Sequence, residues 1–336
     1  MDAYKSGRMM IQETRKLVRV EQLKKDFPLV SGLHWHHKPM MISALDNVSF
    51  DIYKGETLAV VGESGCGKTT LGRTILQICK PTSGKVYFDD IELTHLPPQK
   101  MRPLRARMQM IFQNPANSLN PRMTIGEIIS EGLIIQNLLH SPDIETRLSE
   151  LMNLVGLNPT LINRFPHEFS TGQLQRVGIA RAISLNPDFI ICDEPITSLD
   201  VSIQAQIINL LMDLQNKFGL TYLYISHDLS MVHYVSHRVA VMYLGKFMEM
   251  GKTDTIFSQP VHPYTQALLT TILSPKSRVK KKPGMVAILG EKPGPDTPLQ
   301  GCKFCTLCPI ALELCFHNEP IFKQVADGHF AACHRI

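Results

Sequence analysis

The chain has 336 residues, a formal net charge of +5 and 44% hydrophobic residues. This length suits one large α/β domain with an accessory piece, and the composition excludes a largely disordered chain. No apolar run approaches the roughly 18 residues that a membrane-spanning helix needs, and the first residues lack the pattern of a secretory signal. We therefore expect a cytosolic globular protein, with the Lys-rich run at 276–282 as a solvated linker.

Strand patterns recur along the chain. Val48, Phe50 and Ile52 alternate with polar residues, which predicts a half-exposed strand. Short continuous apolar runs at residues 57–61 and 189–192 predict strands buried on both faces, as in a parallel sheet covered by helices, and residues 221–226 predict one more strand. Residues 239–251 predict a hairpin that turns near Gly245.

Two helices are predicted between these strands. The first begins near Ser141 and ends at Gly156, with an apolar stripe formed by Ile144, Leu148, Leu151 and Val155. The second covers about 202–218 and ends at Gly219. Its inward positions are predicted to be Ile203, Ile207, Leu210, Leu211 and Leu214.

A phosphate-binding loop follows the strand at 57–61. The stretch GESGCGKTT matches G-x-x-x-x-G-K-[ST] and precedes a helical run, which is the context that this motif requires. Its backbone N–H groups would face phosphates, Lys68 would reach the β- and γ-phosphates, and the Thr69 hydroxyl would ligate Mg²⁺. The predicted ATP-binding residues of the loop are Gly62, Glu63, Ser64, Gly65, Cys66, Gly67, Lys68, Thr69 and Thr70.

An acidic pair ends the strand at 189–192. Asp193 would hold the Mg²⁺ ion through water, and Glu194 would polarise the attacking water as general base. The pair alone would also suit a helix cap. Together with a phosphate loop it predicts an ATPase.

Four further stretches occur in the order and spacing of one known family: IFQNP around Gln113, FSTGQLQR at 169–176, TSLD ending at Asp200, and ISHD around His227. With the loop and the acidic pair, they make the chain resemble the ATP-binding cassette (ABC) family. The resemblance implies an α/β fold, a RecA-like P-loop NTPase core with an antiparallel β subdomain and a helical subdomain. It also implies a head-to-tail pair of cassettes with two ATP molecules between them.

The resemblance assigns roles position by position. Ser170, Gly172 and Gln173 would meet the ATP of a partner cassette, and Asp200 would also lie at the nucleotide. Catalysis would use Glu194 with His227, which holds the γ-phosphate and water, and Gln113, which senses Mg²⁺. Phe27 would stack on adenine, with Trp35 as its rival.

The FSTGQ segment departs from the family pattern. The usual SGGQ is STGQ here, so Thr171 replaces a glycine, and Leu174 replaces a polar residue. A threonine would be strained if the backbone needed a positive φ, whereas at an ordinary helix N-terminus its cost would be small.

Three stretches narrow the resemblance. Residues 113–128, 198–215 and 262–269 are similar to ATP-binding subunits of oligopeptide and dipeptide permeases. This implies a nucleotide-binding domain at 1–275, with a helical subdomain at about 114–170, and a C-terminal extension at 276–336. It also implies a peripheral ATPase on the cytoplasmic face of the inner membrane. The partners implied are a sister ATPase subunit, two transmembrane permease subunits and an extracytoplasmic peptide-binding protein, with no nucleic acid.

Five cysteines crowd the C-terminus: Cys302, Cys305, Cys308, Cys315 and Cys333. A reducing cytosol disfavours disulfides, whereas four thiolates suit either zinc or an iron–sulfur cluster, and their spacing does not choose between these metals. The resemblance implies a [4Fe–4S] cluster on Cys302, Cys308, Cys315 and Cys333, with Cys305 outside the ligand set and zinc as the alternative.

Rival functions remain at this point. A soluble cassette ATPase acting on ribosomes or nucleic acid usually carries two cassettes or a long insertion, and an exporter ATPase typically lacks the HPYT stretch at 262–265 and the cysteine-rich tail. Within importers, nickel chelates are an alternative to peptides.

Overall fold

The structure is a computed structural model that describes residues 15–29, 40–138, 141–273 and 300–336. The predicted domain boundary near 275, the Lys-rich run and Trp35 lie outside these residues. The described chain divides into two compact units. The first is formed mainly by His95–Ile225, and the second combines Val18–Asp51, Leu58–Thr94 and Ser226–Ile336. None of the described helices has both the length and the apolar character needed to cross a bilayer.

The elements are numbered in chain order over the described residues. The strands are β1 (Lys16–Leu29), β2 (Met40–Tyr53), β3 (Thr57–Val61), β4 (Ser83–Phe88), β5 (Ile91–Glu92), β6 (Met108–Ile111), β7 (Phe189–Asp193), β8 (Thr221–Ser226), β9 (Arg238–Tyr243), β10 (Lys246–Lys252), β11 (Lys323–Ala326) and β12 (His329–Ala331). The helices are α1 (Lys68–Ile75), α2 (Pro98–Arg107), α3 (Pro115–Ser118), α4 (Ile125–Ile135), α5 (Ser141–Leu154), α6 (Thr171–Ile183), α7 (Val201–Phe218), α8 (Leu229–Val235), α9 (Thr253–Ser258), α10 (Pro263–Leu273) and α11 (Leu314–His317).

The first unit contains parallel strands in the order β6-β7-β8. Every residue of β7 and β8 is buried, which the continuous apolar sequence of β7 predicts. The helices α2 to α7 belong to the same unit. Leu148 and Leu151 on α5, and Val155 directly after it, are buried as predicted, whereas Ile144 on α5 is half-buried.

The buried face of α7 differs slightly from the prediction. Ile207, Leu211 and Leu214 are buried, but Ile203 and Leu210 are only half-buried, and Ile208 takes a core position instead. The inward face is therefore rotated towards Ile208, because helical periodicity alone does not define which side of a wide apolar stripe meets the core.

The second unit carries two sheets. In the first, the neighbours run β2-β1-β4-β5, with Val48, Phe50 and Ile52 buried on β2 as predicted. The second contains the predicted hairpin β9–β10, with Gly245 in its turn, and β3 parallel to β9.

The C-terminal residues 300–336 share the sheet of this second unit. β12 pairs antiparallel with β10, and β11 pairs with β12. The carboxylate of Glu249 on β10, which is fully buried, contacts His329 Nε2 at 2.8 Å. The C-terminal segment therefore packs by adding two strands to this sheet.

Candidate functional site

The phosphate loop connects β3 to α1 in the second unit. Lys68 begins α1 and is 4% exposed, and its Nζ donates to the carbonyl oxygens of Gly62 at 2.8 Å and Glu63 at 2.9 Å. These two bonds hold the Lys68 ammonium group inside the loop. The loop leads into the N-terminus of α1, and helix N-termini bind anions favourably.

The loop leaves no room for side chains at its first glycine. Gly62 has a φ of +153°, and a Cβ there would lie 2.2 Å from the Met242 carbonyl oxygen. Cys66, within the loop, is buried, and burial raises the pKa of its thiol although Lys68 lowers it. Its carbonyl accepts from the Gly245 N–H at 2.9 Å, so the β9–β10 turn supports the loop.

The acidic pair ends β7 in the first unit. Asp193 is buried, while Glu194 adopts a left-handed conformation with a φ of 45°. The Glu194 carboxylate accepts from Gln113 Nε2 at 2.9 Å and from the Thr197 hydroxyl at 3.0 Å. The structure therefore brings together two of the predicted catalytic residues. The sequence analysis did not predict a role for Thr197. The sequence feature that could have indicated it is a hydroxyl residue three positions after Glu194.

The FSTGQ segment begins α6. Ser170 is the N-cap, with its Oγ accepting from the Gln173 N–H at 3.4 Å, while Gln173 Oε1 accepts from the Ser170 N–H at 2.9 Å. Thr171 is the first helical residue and is not among the residues with positive φ, so it causes no backbone strain. Leu174 is 7% exposed, so an apolar side chain suits this position.

The remaining predicted residues are distributed over both units. His227 is exposed between β8 and α8, and Asp200 is exposed at the N-terminus of α7. Phe27 on β1 is 39% exposed, and the Lys25 ammonium lies 4.9 Å from its ring centroid. The roles assigned to these residues stay predictions.

All five C-terminal cysteines line one cavity in the second unit, together with His262 and Phe304. Burial raises the pKa of the Cys302 thiol to about 12, although a hydrogen bond from the Phe304 backbone lowers it. Backbone hydrogen bonds also reach the sulfurs of Cys305, Cys308, Cys315 and Cys333. Within the described ranges, no three Cys, His, Asp or Glu side chains are placed to hold one metal ion.

Comparison with protein families gives two matches. Residues 45–197 match the model "ABC transporter", and residues 248–315 match "Oligopeptide/dipeptide transporter, C-terminal region". The first match contains the phosphate loop, the FSTGQ segment and the acidic pair. The second contains the HPYT stretch and four of the five clustered cysteines.

Curated relatives are similar over almost their whole length. The oligopeptide transport ATP-binding protein AppF of Bacillus subtilis is 48% identical over 96% of this chain and 98% of its own. The oligopeptide transport ATP-binding protein OppF of Salmonella typhimurium is 46% identical over 97% of this chain and 98% of its own.

Solved cassettes share the fold. The ATP-binding cassette MJ0796, solved as a dimer in a post-hydrolysis state with ADP and Pi, is 28% identical, with a TM-score of 0.63 over 70% of this chain and 98% of its own. The chain is therefore an ATPase of the ABC class. More particularly, it belongs to the family of ATP-binding proteins of oligopeptide and dipeptide transporters.

Proposed function

We propose that the chain hydrolyses ATP to drive the import of peptides. The observation that carries this proposal is the 48% identity to an oligopeptide transport ATP-binding protein over 96% of the chain. The chain would act at the cytoplasmic face of the membrane, beneath two transmembrane permease subunits that receive peptides from an extracytoplasmic binding protein. The match of residues 248–315 to the C-terminal region of oligopeptide and dipeptide transporters supports peptides over nickel chelates.

Binding of the triphosphate would rest on the phosphate loop. Lys68 already lies at the centre of the loop, bonded to two carbonyl oxygens that a phosphate group would replace as its partners. Thr69, Gln113 and Asp193 would hold Mg²⁺, which neutralises charge on the phosphate oxygens when bound. The hydroxyl and carboxylate oxygens among these side chains are ligands that Mg²⁺ prefers.

Hydrolysis would use Glu194 as general base. Its carboxylate accepts hydrogen bonds from Gln113 at 2.9 Å and Thr197 at 3.0 Å, which orient it, and as general base it would accept a proton from water. His227 would hold the γ-phosphate and the attacking water. Ser170, Gly172 and Gln173 would complete the site of a partner cassette, which we propose to be a sister ATPase subunit.

Glu194→Gln tests the catalytic assignment, since it keeps the size of the side chain and removes the base. ATP hydrolysis by the assembled transporter should fall roughly 10²- to 10⁴-fold while ATP binding survives. Lys68→Ala should weaken ATP binding itself. Normal hydrolysis by the Glu194→Gln complex would show that another group is the base, and peptide uptake by cells carrying each variant tests the coupling to transport.

We further propose that Cys302, Cys308, Cys315 and Cys333 hold a [4Fe–4S] cluster. What supports the proposal is that all four line one cavity and that backbone groups give hydrogen bonds to their sulfurs. Among the described residues, these side chains are not yet grouped to hold one metal ion, so cluster binding would have to draw the sulfurs together. Such bonds favour the thiolate, which is the form that binds iron or zinc. Burial is the larger effect and raises the pKa of Cys302, Cys308 and Cys333, so metal binding would have to displace their protons. The cluster would serve structure, because ATP hydrolysis moves no electrons.

Anaerobic purification tests the cluster. We expect brown protein with about four irons per chain, broad absorbance, and bleaching by serine at any of the four proposed ligands. Cys305→Ser is the matched control, since it removes a thiol from the same cavity and should leave the colour. Colourless protein with one zinc ion per chain would replace the cluster with a zinc site, and bleaching by Cys305→Ser would overturn the ligand set.

A further inference from the structure

Tyr264, in the HPYT stretch, touches the phosphate loop. The residue is 1% exposed in the first turn of α10, and its hydroxyl accepts a hydrogen bond from the Glu63 N–H at 3.2 Å. Burial raises the pKa of its hydroxyl well above the usual value, so the group stays neutral. Both residues belong to the second unit.

Glu63 is in turn bonded to the residues that would meet phosphate. Its carbonyl oxygen accepts from Lys68 Nζ at 2.9 Å and from the Cys66 N–H at 3.3 Å. The Tyr264 hydroxyl therefore fixes the N–H side of Glu63, and the other bonds fix its carbonyl side. A shift of Tyr264 would move the carbonyl that positions the Lys68 ammonium.

His262 sets the position of Tyr264. Burial lowers the pKa of His262 to about 4, so the ring is neutral, and its Nδ1 accepts from the Tyr264 N–H at 3.0 Å. This gives the first and third residues of the HPYT stretch separate tasks. The histidine holds the backbone of the tyrosine, and the tyrosine side chain reaches the loop.

The other side of Tyr264 faces the cysteine-rich segment. Phe304, between Cys302 and Cys305, is 1% exposed. Its ring centroid lies 5.3 Å from that of Tyr264 and 5.6 Å from that of Tyr243, and the two tyrosine rings are 4.7 Å apart. Aromatic rings at these separations attract one another, so the three form one packed cluster.

We propose that Tyr264 is a positioning residue for the phosphate loop, and that Phe304 makes its position depend on the cysteine-rich segment. The proposal rests on the proposed ATP binding by this loop. If the fold around Cys302 and Cys305 were lost, the Phe304 ring would no longer pack against Tyr264. Tyr264 would then be held less firmly, and nucleotide binding would weaken, although the catalytic residues themselves would be unchanged.

Tyr264→Phe tests the first step, because it removes the hydroxyl and keeps the ring. The measurement is the dissociation constant of the full-length chain for a fluorescent ATP analogue. We expect it to rise about three- to tenfold, the range that one hydrogen bond supports. In the assembled transporter, KM for ATP should rise and kcat should stay near that of the wild type, which general destabilisation would not produce.

Tyr243→Phe is the matched control. Its ring packs against Tyr264, and its hydroxyl is buried without a hydrogen-bond partner among the described residues. It should therefore leave the dissociation constant unchanged. Equal effects of the two variants, or unchanged binding in Tyr264→Phe, would overturn the positioning role while ATP binding by the wild type still stands. A wild-type chain that binds no ATP would instead refute the proposed function.

Phe304→Leu tests the second step, with Phe316→Leu as control because Phe316 lies in the same segment but is 47% exposed. Leucine keeps an apolar side chain, so the segment should still fold. We expect weaker nucleotide binding in Phe304→Leu only, in the same direction as in Tyr264→Phe. The double variant Tyr264→Phe with Phe304→Leu should add little to either single change, and full additivity would show that Phe304 acts by another route.

Discussion

Glu194 occupies a backbone conformation that non-glycine residues rarely adopt, with a φ of 45°. Its N–H donates to the Ile225 carbonyl oxygen at 2.9 Å, and its carboxylate is bonded to Gln113 and Thr197. Such a conformation costs about 1–3 kcal/mol and persists where surrounding bonds enforce it. The two adjacent carboxylates are evident in the sequence. The strained conformation is not, because it depends on Ile225, a partner 31 residues away.

Thr171 leads to a prediction at the same scale. Because this residue begins α6 with ordinary helical backbone, restoring the glycine usual in the family should bring no relief of strain. Thr171→Gly should lower the free energy of unfolding by about 0.5 kcal/mol, since glycine is the poorer helix former, and should not raise ATP hydrolysis. Chemical denaturation and ATPase assays of the assembled transporter check this. Faster hydrolysis in Thr171→Gly would show that the hydroxyl or methyl group hinders the partner site.

The sequence predicts the bounds of strands with continuous apolar sequences accurately, but it gives no prediction of which distant strands pair. The bounds of β3 match the predicted run at 57–61, and β7 extends one residue beyond the predicted run at 189–192, because complete burial leaves a pattern that needs no knowledge of neighbours. The pairing of β12 with β10 joins residues 80 positions apart, as between Met250 and Phe330, and nothing in either strand alone identifies the other. The nucleotide motifs were found for a similar reason: each is local in sequence.

The start of α8 positions His227. Asp228 is the N-cap, and its Oδ1 accepts from the N–H groups of Ser230 at 2.9 Å and Met231 at 3.3 Å. Asp228→Ala should lower the free energy of unfolding by about 1 kcal/mol and reduce hydrolysis by loosening His227. Asp228→Asn retains a capping side chain and is the control. Thermal unfolding and ATPase assays distinguish the two variants. Equal stability and equal hydrolysis in both would show that the Asp228 cap does not position His227.

On the scale of the whole molecule, the C-terminal segment and the cassette share a core. Phe304 and Leu307 are 1% and 2% exposed, whereas Leu314, Phe316 and Ile321 of the same segment are exposed. Small segments without a sufficient core need a staple or a neighbour. Here the neighbour is the sheet of the second unit, through β10 and β12, so the cysteines need not supply all of the stability.

The proposed head-to-tail pairing with a partner cassette gives the last prediction, for which Ser170→Asp is the informative variant. Aspartate is as good an N-cap as serine, so α6 should keep its stability, but its negative charge would repel the triphosphate of a partner. The isolated chain should therefore bind ATP as the wild type does, because its own phosphate loop is unchanged. The assembled transporter should lose most of its hydrolysis at the site that Ser170 completes. Ser170→Asn, which is neutral and also caps helices, should lose less hydrolysis.

Nucleotide titration of the isolated chain and ATPase assays of the complex check this pair of variants. Weakened ATP binding by the isolated Ser170→Asp chain would show that Ser170 serves its own phosphate loop rather than that of a partner.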